Sequence, residues 1–90
     1  MKKIQFDNQK NVIAQQLKLS RVRAGLSQEQ LAAKMQLMGV NIDQQMISKI
    51  ERNQRIVTDY ELACFSKVLK TDIHQLLSAF YTAYIDETGP

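Results

Sequence analysis

Apolar side chains recur along this chain at helical steps, and each run of them is bracketed by residues that start or stop helices. Ile13, Leu17, Ser20 and Ala24 follow one face, with Val12 and Leu19 flanking it. Asp7 or Asn8 before them and Gly25 after them predict a first helix of about four turns. The second start is the most explicit: Ser27 is an N-cap, Gln30 its capping-box partner, and Leu26 and Leu31 form a hydrophobic staple. Leu31, Ala32 and Met35 supply the buried stripe of that helix, and Gly39 stops it.

Asp43 opens a third helix, with Ile42 set to pack on Ile47. Met46, Ile47 and Ile50 face inward, while Gln44, Gln45, Ser48, Lys49 and Arg52 make a polar, cationic outer face. Asn53 suits the left-handed position after the helix, and Arg55 projects from the following loop. Thr58 with Glu61, and Val57 with Leu62, repeat the box and staple for a fourth helix through Phe65, Val68 and Leu69. Asp72 with Gln75 opens a fifth, whose apolar positions Ile73, Leu76, Leu77, Phe80, Tyr81 and Tyr84 extend for about three turns. No strand pattern is present, so the fold class is all-α, a compact five-helix domain. Residues 1–7 read as a mobile arm with Ile4 or Phe6 tucked onto the core, 8–77 as the domain, and 78–90 as an extension of the last helix with a tail.

The 44% hydrophobic content of 90 residues suffices for one small core and no second domain. No apolar run is long enough for a bilayer span or a signal peptide, which points to the cytoplasm. One cysteine, Cys64, and one histidine, His74, assemble neither a disulfide, a zinc cluster nor a nucleophile and base pair. The expectation is a protein that is not an enzyme and takes no metal, cofactor or small-molecule ligand. Cys64 reads as a packing residue, His74 as a surface residue, and Met35, Met38 and Met46 as fillers of core gaps.

Charge sharpens the picture. Residues 1–55 hold ten Lys and Arg against four Asp and Glu, a net of +6, whereas residues 56–90 hold two against five, a net of −3. A basic half without Trp or an aromatic run suits a duplex backbone better than a single-strand stacking platform. The glutamines at the start of the third helix add a reading chemistry, because one amide presents a donor and an acceptor together, as bidentate pairing with adenine in the major groove requires. The plainer reading of Gln44, Gln45, Lys49 and Arg52 is a solvated helix face.

Taken together, Arg21, Gly25-Leu26-Ser27-Gln28-Glu29-Gln30-Leu31-Ala32, Ile47-Ser48-Lys49-Ile50-Glu51 and Asp72-Ile73-His74-Gln75-Leu76-Leu77 resemble the phage repressor and Cro type of helix-turn-helix protein, the Xre family, over Leu17 to Leu77. The resemblance implies a lambda-repressor-like fold and binding of double-stranded DNA. It implies that Gln28 binds a phosphate and braces the recognition helix, that Gln44 and Gln45 read bases, that Lys49 reaches a further base or phosphate, and that Arg55 meets the backbone. On the same outer face Ser48 and Lys49 are assigned to base reading and Arg52 to a phosphate. Arg21 and Glu51 match an internal salt bridge. Two departures stand out: about five extra residues between Met35 and Ile47, which lengthen either the second helix or the turn, and Asn53 where the family usually has glycine.

Phe80, Tyr81, Tyr84 and Ile85 lie beyond the matched part. Either they fold back on the first helix, covering Ile4 and Phe6, or they form a homodimer interface that sets two recognition helices about 34 Å apart. Asp86 and Glu87 would keep DNA from that side. The function expected is a sequence-specific transcription regulator, a repressor; the alternative is the DNA-binding antitoxin or interaction module of a toxin-antitoxin pair.

Overall fold

In the computed structural model, which describes residues 6–85, the first helix begins later than its polar flank suggests. Asp7 and Asn8 have φ values of 51° and 65°, a left-handed pair that no right-handed helix accommodates. They close a tight turn instead, with the Phe6 and Gln9 backbones exchanging hydrogen bonds of 2.7 and 2.8 Å. Helix α1 therefore runs Ala14–Arg23, not from Asp7 or Asn8. The chain enters it through buried Asn11, whose Oδ1 accepts from the Ile13 N–H at 3.0 Å. Ile4 lies outside the described residues.

Local chemistry fixes the next three starts. Helix α2, Gln28–Leu37, has the reciprocal capping box between Ser27 and Gln30, at 3.0 and 2.8 Å. Helix α3, Gln44–Glu51, is capped by Asp43, whose Oδ1 accepts from the Met46 N–H at 2.8 Å. Helix α4, Asp59–Leu69, carries the second reciprocal box, between Thr58 and Glu61.

Of the residues that follow Met35, Gln36 and Leu37 end α2, and the six from Met38 to Asp43 form the turn to α3. Gly39, at φ 85°, sits at the left-handed position of a Schellman closure: the Val40 N–H donates to the Met35 carbonyl and the Gly39 N–H to that of Gln36, at 3.1 and 2.9 Å. Val40 and Ile42 then point into the core while Asn41 is exposed, and the Gln36 side chain donates to the Ile42 carbonyl at 2.9 Å. A turn anchored at three places holds α3 at a defined height above α2.

The core is built on Leu17, Leu31, Met35, Ile42, Ile47, Ile50, Phe65 and Leu76, all fully buried. Helix α3 packs on α1 and α2 through Ile47 and Ile50, each worth about 1.5–3 kcal/mol on burial. Its other face is left to solvent.

The fifth helix expected from the sequence is two. Helix α5, Ile73–Leu76, and helix α6, Ser78–Tyr84, meet at Leu77, whose ψ of 3° interrupts the helical run. Asp72 makes no side-chain cap. The two ends of the apolar stripe serve different partners: Leu76 is buried in the main core, whereas Phe80 and Tyr84 pack on the Phe6 ring at centroid distances of 5.4 and 5.0 Å. The backbone bends between them.

Candidate nucleic-acid interface

A chain of hydrogen bonds runs from the interior to the exposed start of α3. Arg21 grips Glu51 through Nε at 2.7 Å and the second guanidinium nitrogen at 3.1 Å, and donates also to the Leu26 carbonyl at 2.8 Å. The Glu51 side chain is 4% exposed, so its remaining acceptor capacity must be met by protein; Gln28 meets it, donating from Nε2 to Oε1 at 3.0 Å. A carboxylate only accepts, so this bond sets which way the Gln28 amide points. Its Oε1 faces Gln44 and accepts from Gln44 Nε2 at 2.7 Å. Gln44 in turn keeps one N–H and its carbonyl oxygen for an outside partner, the donor and acceptor pair that an adenine edge requires. The polarity of the outermost amide is thus set by a buried ion pair two side chains away.

The rest of the α3 face follows from its register. Gln45, Lys49 and Arg52 are exposed and Ser48 is half-buried beside them. Arg52 reaches back to the Ser48 carbonyl at 3.4 Å, near the helix end that favours a cation. Gln44, Gln45, Ser48, Lys49 and Arg52 are therefore brought onto one solvent-facing surface, with Gln28 at its edge.

Arg55 is engaged elsewhere. Its guanidinium forms a bidentate pair with Glu61 at 2.9 and 3.0 Å and donates to the Ile56 carbonyl at 2.9 Å. Glu61, 3% exposed, is both the capping-box partner of Thr58 and the counter-ion of Arg55, a double role the sequence reading missed. Burial pushes the Glu61 carboxyl up, but hydrogen bonds from Arg55 and Thr58 outweigh it and hold the group below its ordinary value. Hydrogen bonding to Glu61 likewise raises Arg55. A carboxyl with a depressed folded pKa stabilises fully above its unfolded value and loses that contribution as pH falls through the folded one. The expected result is that Glu61→Gln melts below the parent at neutral pH and that the gap narrows below about pH 4. A gap that is constant across an acid series of melts would show that the pair is not ionic.

Asn11 and Asn53, which composition and periodicity did not single out as partners, meet behind α3: the Asn53 Oδ1 accepts from the backbone N–H groups of Lys10 and Asn11 at 2.7 and 3.1 Å. The last-helix residues expected to pair two copies find neighbours within the chain. Phe80 and Tyr84 pack on Phe6, the Tyr84 hydroxyl donates to Asp7, and Tyr81 stacks on His74 at 4.7 Å. Ile85 is 44% exposed, and Asp86 and Glu87 lie outside the described residues. Cys64 is a half-buried free thiol against the core. Among the described residues no group of His, Cys, Asp and Glu is arranged to hold a metal ion, and no helix is long and apolar enough to cross a membrane.

Residues 17–76, two thirds of the chain, match a family model described as helix-turn-helix. No curated protein matches the chain. The matched span runs from the middle of α1 to the end of α5, and so contains Arg21, Gln28, Gln44 and Glu51 but neither Asn11 nor α6.

Proposed function

The chain belongs to the Cro/C1-type helix-turn-helix family, a family of DNA-binding regulators, and on that premise we propose that it is a cytoplasmic, sequence-specific repressor that reads duplex DNA with α3. The observation that carries this reading is the exposed face of Gln44, Gln45, Ser48, Lys49 and Arg52, with its leading amide held in one orientation by Gln28. Gln44, Gln45, Ser48 and Lys49 meet base edges, Arg52 meets a phosphate, and Gln28, whose amide is engaged by Glu51 and Gln44, braces the start of α3 in place of the phosphate contact expected of it. Arg55, held by Glu61, shapes the loop behind the helix in this scheme and is not counted as a phosphate contact. Occupying a promoter is then sufficient for repression by occlusion.

The test is selection of bound duplexes from a random pool. One enriched motif is the expected result, and a protein that enriches none would defeat the proposal. Packing of Phe6 on Phe80 and Tyr84 supports use of that stripe within the chain, so the homodimer expected through Phe80, Tyr81, Tyr84 and Ile85 requires displacement of Phe6. A palindromic motif with half-sites about 34 Å apart would favour that displacement, and a single half-site would favour a monomer. Arg52→Ala is expected to weaken motif and random duplexes alike and to lower the salt slope by about one. Loss confined to the motif would move Arg52 to the base-reading group.

A further inference from the structure

The recognition helix also ends in a Schellman closure, with Asn53 at its left-handed position. The Gln54 N–H donates to the Lys49 carbonyl at 2.7 Å and the Asn53 N–H to that of Ile50 at 3.0 Å, with Asn53 at φ 63°. Glycine would satisfy that backbone with less strain. What glycine lacks is the side-chain carbonyl, and here that atom is used twice, by the Lys10 and Asn11 N–H groups. Asn11 returns the contact. Its Nδ2 donates to the Ile50 carbonyl at 3.0 Å and to the Arg55 carbonyl at 2.9 Å, while its Oδ1 holds the start of α1.

Asn11 is 8% exposed, and both its amide N–H groups and its carbonyl oxygen are engaged within the chain. It supplies a donor to one of the carbonyls that a helix C-terminus leaves without an intrahelical partner. The next residues of the loop are gripped from the other side, because Arg55, whose carbonyl Asn11 holds, is paired with Glu61. The rear end of α3 is thus clasped between the N-terminal segment and α4. Residues 10–13 precede the family-matched span, so this chain adds the clasp to the helix-turn-helix unit from outside it.

We propose that the Asn11–Asn53 clasp is a positioning device for the recognition helix, setting the tilt at which Gln44, Gln45, Ser48 and Lys49 meet the bases. The inference rests on the DNA-reading function proposed above. Base-edge hydrogen bonds tolerate little displacement, whereas contacts to a uniform phosphate backbone tolerate more. Loosening the rear of α3 therefore lowers discrimination between motif and random DNA before it lowers binding as such.

Asn53→Gly isolates the effect, since it keeps the left-handed backbone and removes only the acceptor. Asn53→Asp restores the acceptor. The readouts are the ratio of motif to random-duplex affinity and the amide exchange rates of Lys10 and Asn11 in the free protein. In Asn53→Gly the ratio is expected to fall about tenfold, the weight of roughly one net hydrogen bond, with both amides exchanging faster. Asn53→Asp is expected to recover both. A glycine variant that keeps the parent's ratio overturns the clasp, as does a ratio that aspartate fails to restore while the two amides are again protected. The parent's own ratio reports separately on the DNA-reading proposal; a parent without selectivity would overturn that proposal and this one with it.

Discussion

Arg21→Ala and Glu51→Ala are each expected to destabilise the domain by about 3–5 kcal/mol, because each leaves a nearly buried charge without its partner. The side chains are 11% and 4% exposed, and the bonds between them are 2.7 and 3.1 Å. Arg21→Ala strips Glu51 of two charge-assisted donors and leaves only the Gln28 amide; Glu51→Ala leaves Arg21 one backbone carbonyl, at Leu26. For a domain of this size such a loss lowers the unfolding midpoint by roughly 12 °C or more. It is also a large part of the roughly 5–15 kcal/mol that holds small domains folded. Lys18→Ala on the exposed side of α1 is the control, expected within about 0.5 kcal/mol of the parent. Replacing both partners by Met and Leu should restore much of the loss, since no charge is then stranded. Single variants that melt with the control would mean that water, not protein, solvates the pair.

The features legible in the sequence are those decided within one turn of helix. Ser27 with Gln30, and Thr58 with Glu61, close their boxes over three residues, so the signal and the structure coincide. Asp7 and Asn8 misled for a reason of the same kind: the side chains that favour N-caps also tolerate the left-handed turn, and local sequence does not choose between them. The choice is made by Asn11, which is held by carbonyls about forty residues away in sequence, at Ile50 and Arg55. Asp72 carries the capping pattern without the cap, because α5 is a single short turn before the bend at Leu77. Arg55 shows the limit for sites. The sequence places this arginine on a loop beside a basic helix, but its bidentate pairing with the buried Glu61 carboxylate is decided by the fold and not by local sequence. Periodicity likewise put Gln44 on the outer face, but that its amide has a fixed polarity depends on Glu51 and Gln28 meeting in space.

That fixed polarity leads to the second large effect. Gln44→Ala is expected to cost about 1–3 kcal/mol on the selected motif and little on random duplex, the loss of one bidentate base contact. Gln28→Ala should cost the motif nearly as much, although in this scheme Gln28 touches no base, because Gln44 then loses the acceptor that orients it. Freed from Gln28, the Gln44 amide can rotate so that its carbonyl and amino groups exchange places, and it then presents the wrong pattern to the base. The two losses therefore come from one interaction and should not add: the double variant is expected to bind the motif within about 0.5 kcal/mol of Gln44→Ala alone. Melting curves separate this from simple unfolding, since Gln28→Ala still leaves Glu51 its two bonds from Arg21. Fully additive losses on the motif, with all three proteins folded, would mean that Gln28 acts on a phosphate by itself. The relay from Arg21 through Glu51 and Gln28 to Gln44 would then hold the fold together without setting what α3 reads.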